Sequence, residues 1–189
     1  IVILLIITNT CFAEDTLRVS LPNFLPFYDA KDSRKGVIGE IFYRLQEKTN
    51  IKFKIVPLPY MRVLTSLKSG ELDAAILFEN KSISDSVHFL SKVSESKVCI
   101  WHRKKLKGNK ENSIHKMTIA TIRGASFGKG FDSNKDINKV STYDYQQGLK
   151  MLKLKRVDGI IGSQSGILYS AYVSNIEMKT FEKPIKLTS

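Results

Sequence analysis

The sequence predicts an α/β protein made of two similar lobes, each a mostly parallel sheet flanked by helices. The main observation is a pattern that occurs twice, at residues 59–78 and at residues 143–162. Each copy reads as an amphipathic helix, a basic or glycine-containing turn, an aspartate and a short apolar run. Runs this short and apolar are typical of strands covered on both faces, as in a parallel sheet. Two separate copies favour two lobes over one continuous domain.

The helix of the first copy is defined by four apolar side chains at helical spacing: Tyr60, Val63, Leu64 and Leu67. Pro59 stands at the helix start, where a missing N–H is tolerated. Gly70 stands where a left-handed C-cap is expected, and a buried strand is predicted at 72–78. The second copy repeats the apolar face with three residues: Tyr145, Leu149 and Leu152.

Three elements are predicted before the first copy: an alternating strand at 17–21, a helix at 38–45 and a strand at 52–56. The resulting order is a βαβαβ unit, for which right-handed crossovers are expected. A loop rich in proline and aromatic residues, 22–29, follows the first strand. Open α/β sheets bind ligands beyond the carboxyl ends of their strands. The rings of Phe24 and Tyr28 therefore either form a wall of a ligand cleft or pack onto the first helix.

The second half predicts further elements in this order: strands at 97–102, 116–122 and 140–141, the second copy, a short helix at 167–171, and strands at 177–181 and 183–187. Residues 101–105 are interpreted as the first crossing between the lobes. The turn at 123–128 leaves backbone N–H groups available at a helix start, where Ser126 is placed to cap the helix. The turn suits an anion or a carboxylate, unless it is an ordinary capped turn. Its glycine spacing matches neither a phosphate-binding loop nor a dinucleotide-binding motif.

The start of the chain predicts part of a secretory signal peptide. An apolar run at 1–7 is followed by small and polar residues, which indicates cleavage after Ala13. The run is far shorter than the ~20 residues that span a bilayer. A buried strand, a membrane anchor and lipidation at Cys11 are the alternatives for this stretch.

The formal net charge is +12, but the lysines are scattered and no nucleic-acid-binding motif is present. We interpret the charge as solvated surface and expect no nucleic-acid partner. Cleavage after Ala13 leaves one cysteine, Cys99, within an apolar run where a core position is expected. A single cysteine excludes an internal disulfide and a CxxC metal or redox motif.

In this order, the features resemble the periplasmic solute-binding proteins of ABC transporters, most closely the family-3 type associated with polar amino acids. The resemblance rests on the signal peptide, the aromatic loop, the glycine-flanked first helix and three stretches: PYMRVLTSLKSGELDAAILF, IATIRGASFG and VDGIIGSQSG. It covers nearly all of residues 17–187. It implies the type II periplasmic-binding-protein fold, in which two lobes joined by two crossing strands close on a ligand by a hinge. It implies no catalytic residue, no metal and no cofactor.

The resemblance also implies a division of the chain. Residues 1–13 would be a partial signal peptide, 14–101 the N-terminal part of lobe 1, 102–183 lobe 2, and 184–189 the strand that returns to lobe 1. The family adds further helices that complete lobe 1, and the predicted signal peptide lacks an initiator Met and a basic n-region, so the sequence is expected to be truncated at both ends.

The resemblance places the ligand site between the lobes. The aromatic loop often stacks on the ligand, and Ser126 matches a hydroxyl residue that binds a carboxylate. The segment after the third strand lines the cleft. The candidate ligand-binding residues are Phe24, Tyr28, Tyr60, Arg62, Phe78, Glu79, Arg123, Gly124, Ser126, Phe127 and Ser163.

Two departures from the family pattern concern the charges that hold an amino acid. Amino-acid binders usually carry an arginine that clamps the carboxylate, and Ile83-Ser84 stand where it would be. They also carry an aspartate for the α-ammonium, and Ser163 stands near that place. Arg62 or Arg123 could supply a substitute cation, or could be solvated surface arginines. Glu79 could supply an anion.

The expected function is capture of a small polar solute, anionic or zwitterionic and amino-acid-like, for an ABC importer. The protein would be a periplasmic monomer that contacts the transporter permease transiently. One alternative is the sensor domain of a membrane receptor. Another is an enzyme on the same scaffold, for which His88 and Glu79 are the nearby acid or base candidates.

Overall fold

The computed structural model describes residues 16–21, 24–28, 36–103 and 114–187. The predicted signal peptide with its cleavage after Ala13 and the lipidation alternative at Cys11 lie outside the described residues. So do residues 22, 23 and 29 of the aromatic loop and the end of the first predicted crossing.

The first lobe is built on a three-stranded parallel sheet. Its strands are β1 (Thr16–Ser20) in the middle, β2 (Lys52–Ile55) on one side and β3 (Ala74–Ala75) on the other. Helix α1 (Val37–Thr49) connects β1 to β2, and helix α2 (Tyr60–Lys68) connects β2 to β3. The predicted order of strands and helices is confirmed.

Local sequence explains where α2 ends and why β3 is short. Gly70, with φ of +73°, follows the helix as predicted and supplies the left-handed residue. Only two of the residues at 72–78 pair with β1, so the strand is shorter than predicted. Beyond Ala75 the chain leaves the sheet, because Leu77 packs against a cluster that also includes side chains of the second lobe.

The second lobe is built on a five-stranded sheet. Its strands, in spatial order, are β6 (Asn138–Thr142), β5 (Thr118–Ile122), β7 (Gly159–Ser163), β4 (Val98–His102) and β8 (Ile185–Lys186). The first three are parallel, and β4 pairs antiparallel with both β7 and β8. The predicted lobe boundary at residue 101 remains a prediction, although β4 is bonded within this second sheet.

Within the residues that the structure describes, three helices accompany this sheet: α3 (Lys129–Asp132), α4 (Tyr145–Lys153) and α5 (Gln164–Val173). In α4 the predicted face is buried, with Tyr145, Leu149 and Leu152 at most 4% exposed. The predicted strand at 177–181 is wrong. Met178–Thr180 is a short 3-10 helix, because Met178 and Phe181, three residues apart, both turn toward the core.

One hydrophobic cluster crosses from lobe to lobe and is called the shared cluster below. From the first lobe it takes four buried side chains: Phe24, Tyr60, Leu64 and Ile83. From the second it takes buried residues of β4, β5, α4, β7 and α5, among them the predicted core residue Cys99. The lobes therefore meet through apolar side chains. No helix in the described part of the chain is both long and apolar enough to cross a bilayer.

Candidate functional site

A cavity of about 50 Å³, called the aromatic cavity below, lies where the two lobes meet. It is lined by Phe24, Tyr60, Phe78, Val98, Ile122, Ala125, Ser126, Phe127, Tyr145 and Ser163. Residues of both lobes contribute, and the described lining consists of apolar side chains, aromatic rings and two serine hydroxyls. Such a lining suits contact with an uncharged, apolar part of a ligand, but the space is smaller than the ~150 Å³ of a cavity that holds a benzene ring.

Phe24 lies between two tyrosines that come from different lobes. Its ring centroid is 5.8 Å from that of Tyr60 and 5.7 Å from that of Tyr145. Tyr60 is the first residue of α2 and Tyr145 the first of α4, so the two rings occupy equivalent positions in the repeated pattern. Ring pairs of this kind contribute about 0.5–1.5 kcal/mol each beyond the area they bury.

Tyr145 is held by the strand-to-helix connection after β7. Its ring lies so close to Gly162 that a Cβ atom there would be 2.2 Å from ring carbon Cε1. Its hydroxyl oxygen accepts a hydrogen bond of 3.1 Å from the backbone N–H of Ser163. Burial raises the pKa of Tyr145 to about 12, so the phenol is neutral at physiological pH.

The hydroxyl of Ser163, a predicted ligand contact, is engaged within the protein. It accepts a 3.1 Å hydrogen bond from the backbone N–H of Gly166 and so caps α5. It is also 3.0 Å from the hydroxyl oxygen of Ser96. Ser163 therefore lines the aromatic cavity mainly as part of a helix cap.

The lobe-2 turn, residues 123–128, contains its own carboxylate. The Ser126 hydroxyl donates to Asp132 Oδ2 at 2.6 Å, and the Phe127 N–H donates to both carboxylate oxygens at 3.0 and 3.1 Å. The prediction that Ser126 caps the following helix is wrong, because α3 begins after Gly128 with no side-chain cap. The anion that lies against the turn is therefore a side chain of the protein itself, the Asp132 carboxylate.

A second cleft, of about 270 Å³ and called the arginine cleft below, shares Tyr60 with the aromatic cavity. Its described lining is Pro59, Tyr60, Met61, Arg62, Thr65, Arg123 and Tyr143. Arg62 comes from the first turn of α2, and Arg123 from the start of the lobe-2 turn. The Arg123 guanidinium lies 5.6 Å from the Tyr143 ring centroid. The two predicted arginines thus line this cleft and not the aromatic cavity.

Three other predicted residues lie outside both linings. Tyr28 is 1% exposed and belongs to the core of the first lobe with Val19 and Phe42, so its ring packs inside that lobe. Glu79 is exposed to solvent. Gly124 has φ of +82° and presents its carbonyl oxygen to Asn80 of the first lobe.

Sequence reasoning missed Tyr145, Val98, Ile122 and Ala125 as lining residues, and Asp132 as the partner of the turn. For Tyr145 a signal existed, because it stands in the second copy where Tyr60 stands in the first. For Asp132 only proximity to Ser126 in the sequence was available. The described residues contain no group of three histidine, cysteine or acidic side chains placed to hold a metal ion.

The fold resembles those of several solved proteins. No protein-family model matches the chain, and no curated protein matches its sequence. An arginine-bound mutant of ArgBP from T. maritima is 16% identical, with a TM-score of 0.72 over 85% of this chain and 78% of that one. The substrate-binding protein of an amino acid ABC transporter is also 16% identical, with a TM-score of 0.72 over 88% and 76%. The VFT2 domain of Bordetella pertussis BvgS is 19% identical, with a TM-score of 0.68 over 88% and 72%.

Proposed function

We propose that this chain, whose fold is the two-lobed type II fold of periplasmic binding proteins, is an extracytoplasmic solute-binding protein. It captures a small solute between the two lobes, which close around it and bring the rings of the aromatic cavity against it. The observation that carries the proposal is Phe24, which contacts Tyr60 of one lobe and Tyr145 of the other. A solute bound against these rings gains contacts with both lobes only in the closed form, so binding favours closure.

The solute is small and amino-acid-like, with an apolar part and a charged part. Phe24, Phe78 and Phe127 contact the apolar part, because their rings line the aromatic cavity. Arg62 and Arg123 attract the charge, which makes the solute anionic or zwitterionic. The arginine-bound ArgBP mutant supports an amino-acid-like ligand, since its fold resembles that of this chain.

The protein delivers its solute to the permease of an ABC importer in the periplasm, and it acts as a monomer. The predicted signal peptide and the similar fold of an ABC-transporter substrate-binding protein support this role. Binding is favoured over catalysis by the composition of the site. His88 and Glu79 are exposed, and neither is among the described residues that line the aromatic cavity.

Thermal unfolding against amino acids, organic acids, polyamines and sugars tests the proposal. A ligand at 100 times its Kd adds about 2.7 kcal/mol to the free energy of unfolding. For a chain of this length the midpoint should rise by roughly 5–10 °C. The solute should be recovered unchanged after the measurement.

Two variants connect a hit to the aromatic cavity. Phe24→Ala should abolish the rise in midpoint, because it removes the ring that lies between the lobes. Tyr172→Ala is the matched control, since Tyr172 is 78% exposed and lies outside both linings, and it should leave the rise intact. The proposal is wrong if no small molecule raises the midpoint, or if the active compound is consumed.

A further inference from the structure

The Asp132 carboxylate lies against the lobe-2 turn in the way that a bound oxyanion would. Its Oδ2 atom accepts a hydrogen bond of 2.6 Å from the Ser126 hydroxyl, and the Phe127 N–H donates to both of its oxygens at 3.0 and 3.1 Å. Two donors that converge on one carboxylate in this way form a small oxyanion site. In this protein a side chain of the same chain fills that site.

The two donors belong to the solute site described above. Ser126 and Phe127 both line the aromatic cavity. The same turn contacts the first lobe, because the carbonyl oxygen of Gly124 accepts a 2.7 Å hydrogen bond from the Asn80 side chain. Asp132 is not among the described lining residues, so its effect on a solute acts through Ser126 and Phe127.

Helix α3 fixes the position of the Asp132 carboxylate. Asp132 is the last residue of α3, and its backbone N–H donates to the Gly128 carbonyl at 2.9 Å. The preceding residue, Phe131, is 4% exposed and belongs to a core cluster with Ile161 of β7. The Phe127 ring meets the Phe131 ring edge-on, with centroids 5.8 Å apart. The carboxylate and its donors are therefore parts of one packed unit.

A tethered carboxylate has a large advantage over a free one. The effective concentration of a group on a short tether is on the order of millimolar or higher, so a solute at about micromolar concentration competes at a disadvantage of roughly a thousandfold. A carboxylate or phosphate that entered the turn would also lie beside the charge of Asp132, and like charges repel. Both effects oppose a negatively charged group at this turn.

We infer that Asp132 is a specificity-determining residue, whose carboxylate occupies the donors of Ser126 and Phe127 and keeps anionic groups of a solute out of the lobe-2 turn. The part of the solute that contacts this turn carries no negative charge. This inference rests on the proposed function and narrows its solute class. A residue that only braced the turn would leave no anion site when removed, whereas a residue that fills an oxyanion site leaves that site open.

Formate tests the inference, because it is a carboxylate without the rest of the Asp132 side chain. It is titrated at constant ionic strength into the full chain and into Asp132→Ala, and the backbone amide signal of Phe127 is followed by NMR. The wild-type signal should show no saturable shift. In Asp132→Ala the signal should shift saturably, with an affinity about tenfold or more above any wild-type response, as expected for charge-assisted hydrogen bonds. Formamide, which is similar in size but uncharged, should bind about tenfold more weakly than formate.

Three further variants locate the effect. The double variant Asp132→Ala, Ser126→Ala should lose about tenfold in formate affinity relative to Asp132→Ala, because one of the two donors is gone. Asp132→Asn keeps an acceptor oxygen without the charge, so its formate affinity should lie between those of the wild type and Asp132→Ala. This variant also carries the test if Asp132→Ala does not fold. Glu47→Gln is the charge-matched control, since Glu47 is an exposed acid on α1, and it should behave like the wild type.

Two results would overturn the inference. Formate that shifts the Phe127 signal equally in the wild type and in Asp132→Ala would show that Asp132 does not exclude anions. A Phe127 signal that formate leaves unchanged in both Asp132 variants would show that the turn is not an oxyanion site. Failure of the proposed function has a different signature. In that case the thermal panel finds no solute, whatever formate does in Asp132→Ala, and the solute class named here fails with it.

Discussion

The side-chain amide of Asn80 donates a 2.7 Å hydrogen bond to the carbonyl oxygen of Gly124, and this bond joins the two lobes directly. Asn80 is 2% exposed, and its side-chain oxygen also accepts from the N–H of Ser82, which caps a short 3-10 helix at Lys81–Ser86. One buried residue therefore orders the end of the first lobe and holds it against the lobe-2 turn. The contact is polar, whereas most of the lobe contact is apolar.

Asn80→Ala should weaken solute binding by destabilising the closed form. A hydrogen bond of this type contributes about 1 kcal/mol, which corresponds to a roughly fivefold loss of apparent affinity. Isothermal titration with the solute found in the thermal panel measures it. Asn80→Ser keeps a capping oxygen but is too short to reach Gly124, so it should lose as much affinity as Asn80→Ala. Wild-type affinity in Asn80→Ser would show that only the cap matters.

Gly162→Ala should destabilise the protein by about 1–3 kcal/mol, because the new methyl group would overlap the Tyr145 ring at 2.2 Å and force it to move. The same movement should weaken solute binding, since that ring lines the aromatic cavity.

Gly130→Ala is the matched control. No atom lies within 4 Å of the position its Cβ would take, and Gly130 lies within α3, so this change should be neutral or slightly stabilising. Urea unfolding measures the change in the free energy of unfolding for each variant, and equal losses of stability would contradict the steric argument.

The first lobe should lose stability in acid through Asp73. Hydrogen bonds from the Arg18 side chain and backbone, at 2.7–3.1 Å, lower the pKa of Asp73 to about 2 from its ordinary 3.8. A depressed pKa in the folded state contributes stability above pH 3.8 that disappears as the pH falls toward 2. Unfolding monitored between pH 5 and pH 2 should show this decline. In Asp73→Asn the part of the decline that comes from protonation of Asp73 should be absent. Parallel curves for the two proteins would contradict the assignment.

Cys99 should make the protein sensitive to alkali. Burial raises the pKa of its thiol to about 11 from an ordinary 9. Since the thiol pKa is higher in the folded state than in the unfolded state, the stability that the neutral thiol contributes is complete below pH 9. It is lost as the pH rises through 11. The free energy of unfolding of the wild type should therefore fall from pH 9 upward, by up to about 1.4 kcal/mol per pH unit. In Cys99→Ala the free energy of unfolding should begin to fall only near pH 10. There Tyr145 begins to contribute, because burial raises its pKa as well. An unchanged onset would argue against a buried neutral thiol.

Elements whose apolar residues recur with a strong periodicity were predictable from the sequence, whereas the contact between the two lobes was not. The helical spacing of Tyr60, Val63 and Leu64 predicted both α2 and the face that it buries, because a single periodic face determines the packing direction. At 177–181 the sequence predicts a strand, whereas the chain forms a 3-10 turn whose apolar residues lie three positions apart. Short apolar runs do not separate these structures without tertiary context.

The candidate site was predictable in part, for a related reason. The loop after the first strand predicts the ring of Phe24 near a ligand, because such loops line the clefts of open sheets. The partner of Ser126 was not predictable, since a hydroxyl next to free N–H groups looks the same whether its anion is a ligand or Asp132. Arg62 and Arg123 were expected to bind the ligand, but no periodic pattern separates the arginine cleft from the aromatic cavity. That distinction depends on how the two lobes are oriented.

The position of Trp101 gives the protein an optical reporter of its own. It is the one tryptophan of the chain, it lies on β4 opposite Ile160 of β7, and it packs against the shared cluster. Its emission spectrum therefore arises from one place, within reach of the apolar contacts that join the lobes. A solute that rearranges those contacts will change the fluorescence of the unmodified protein, so binding can be followed in real time without a dye or a label.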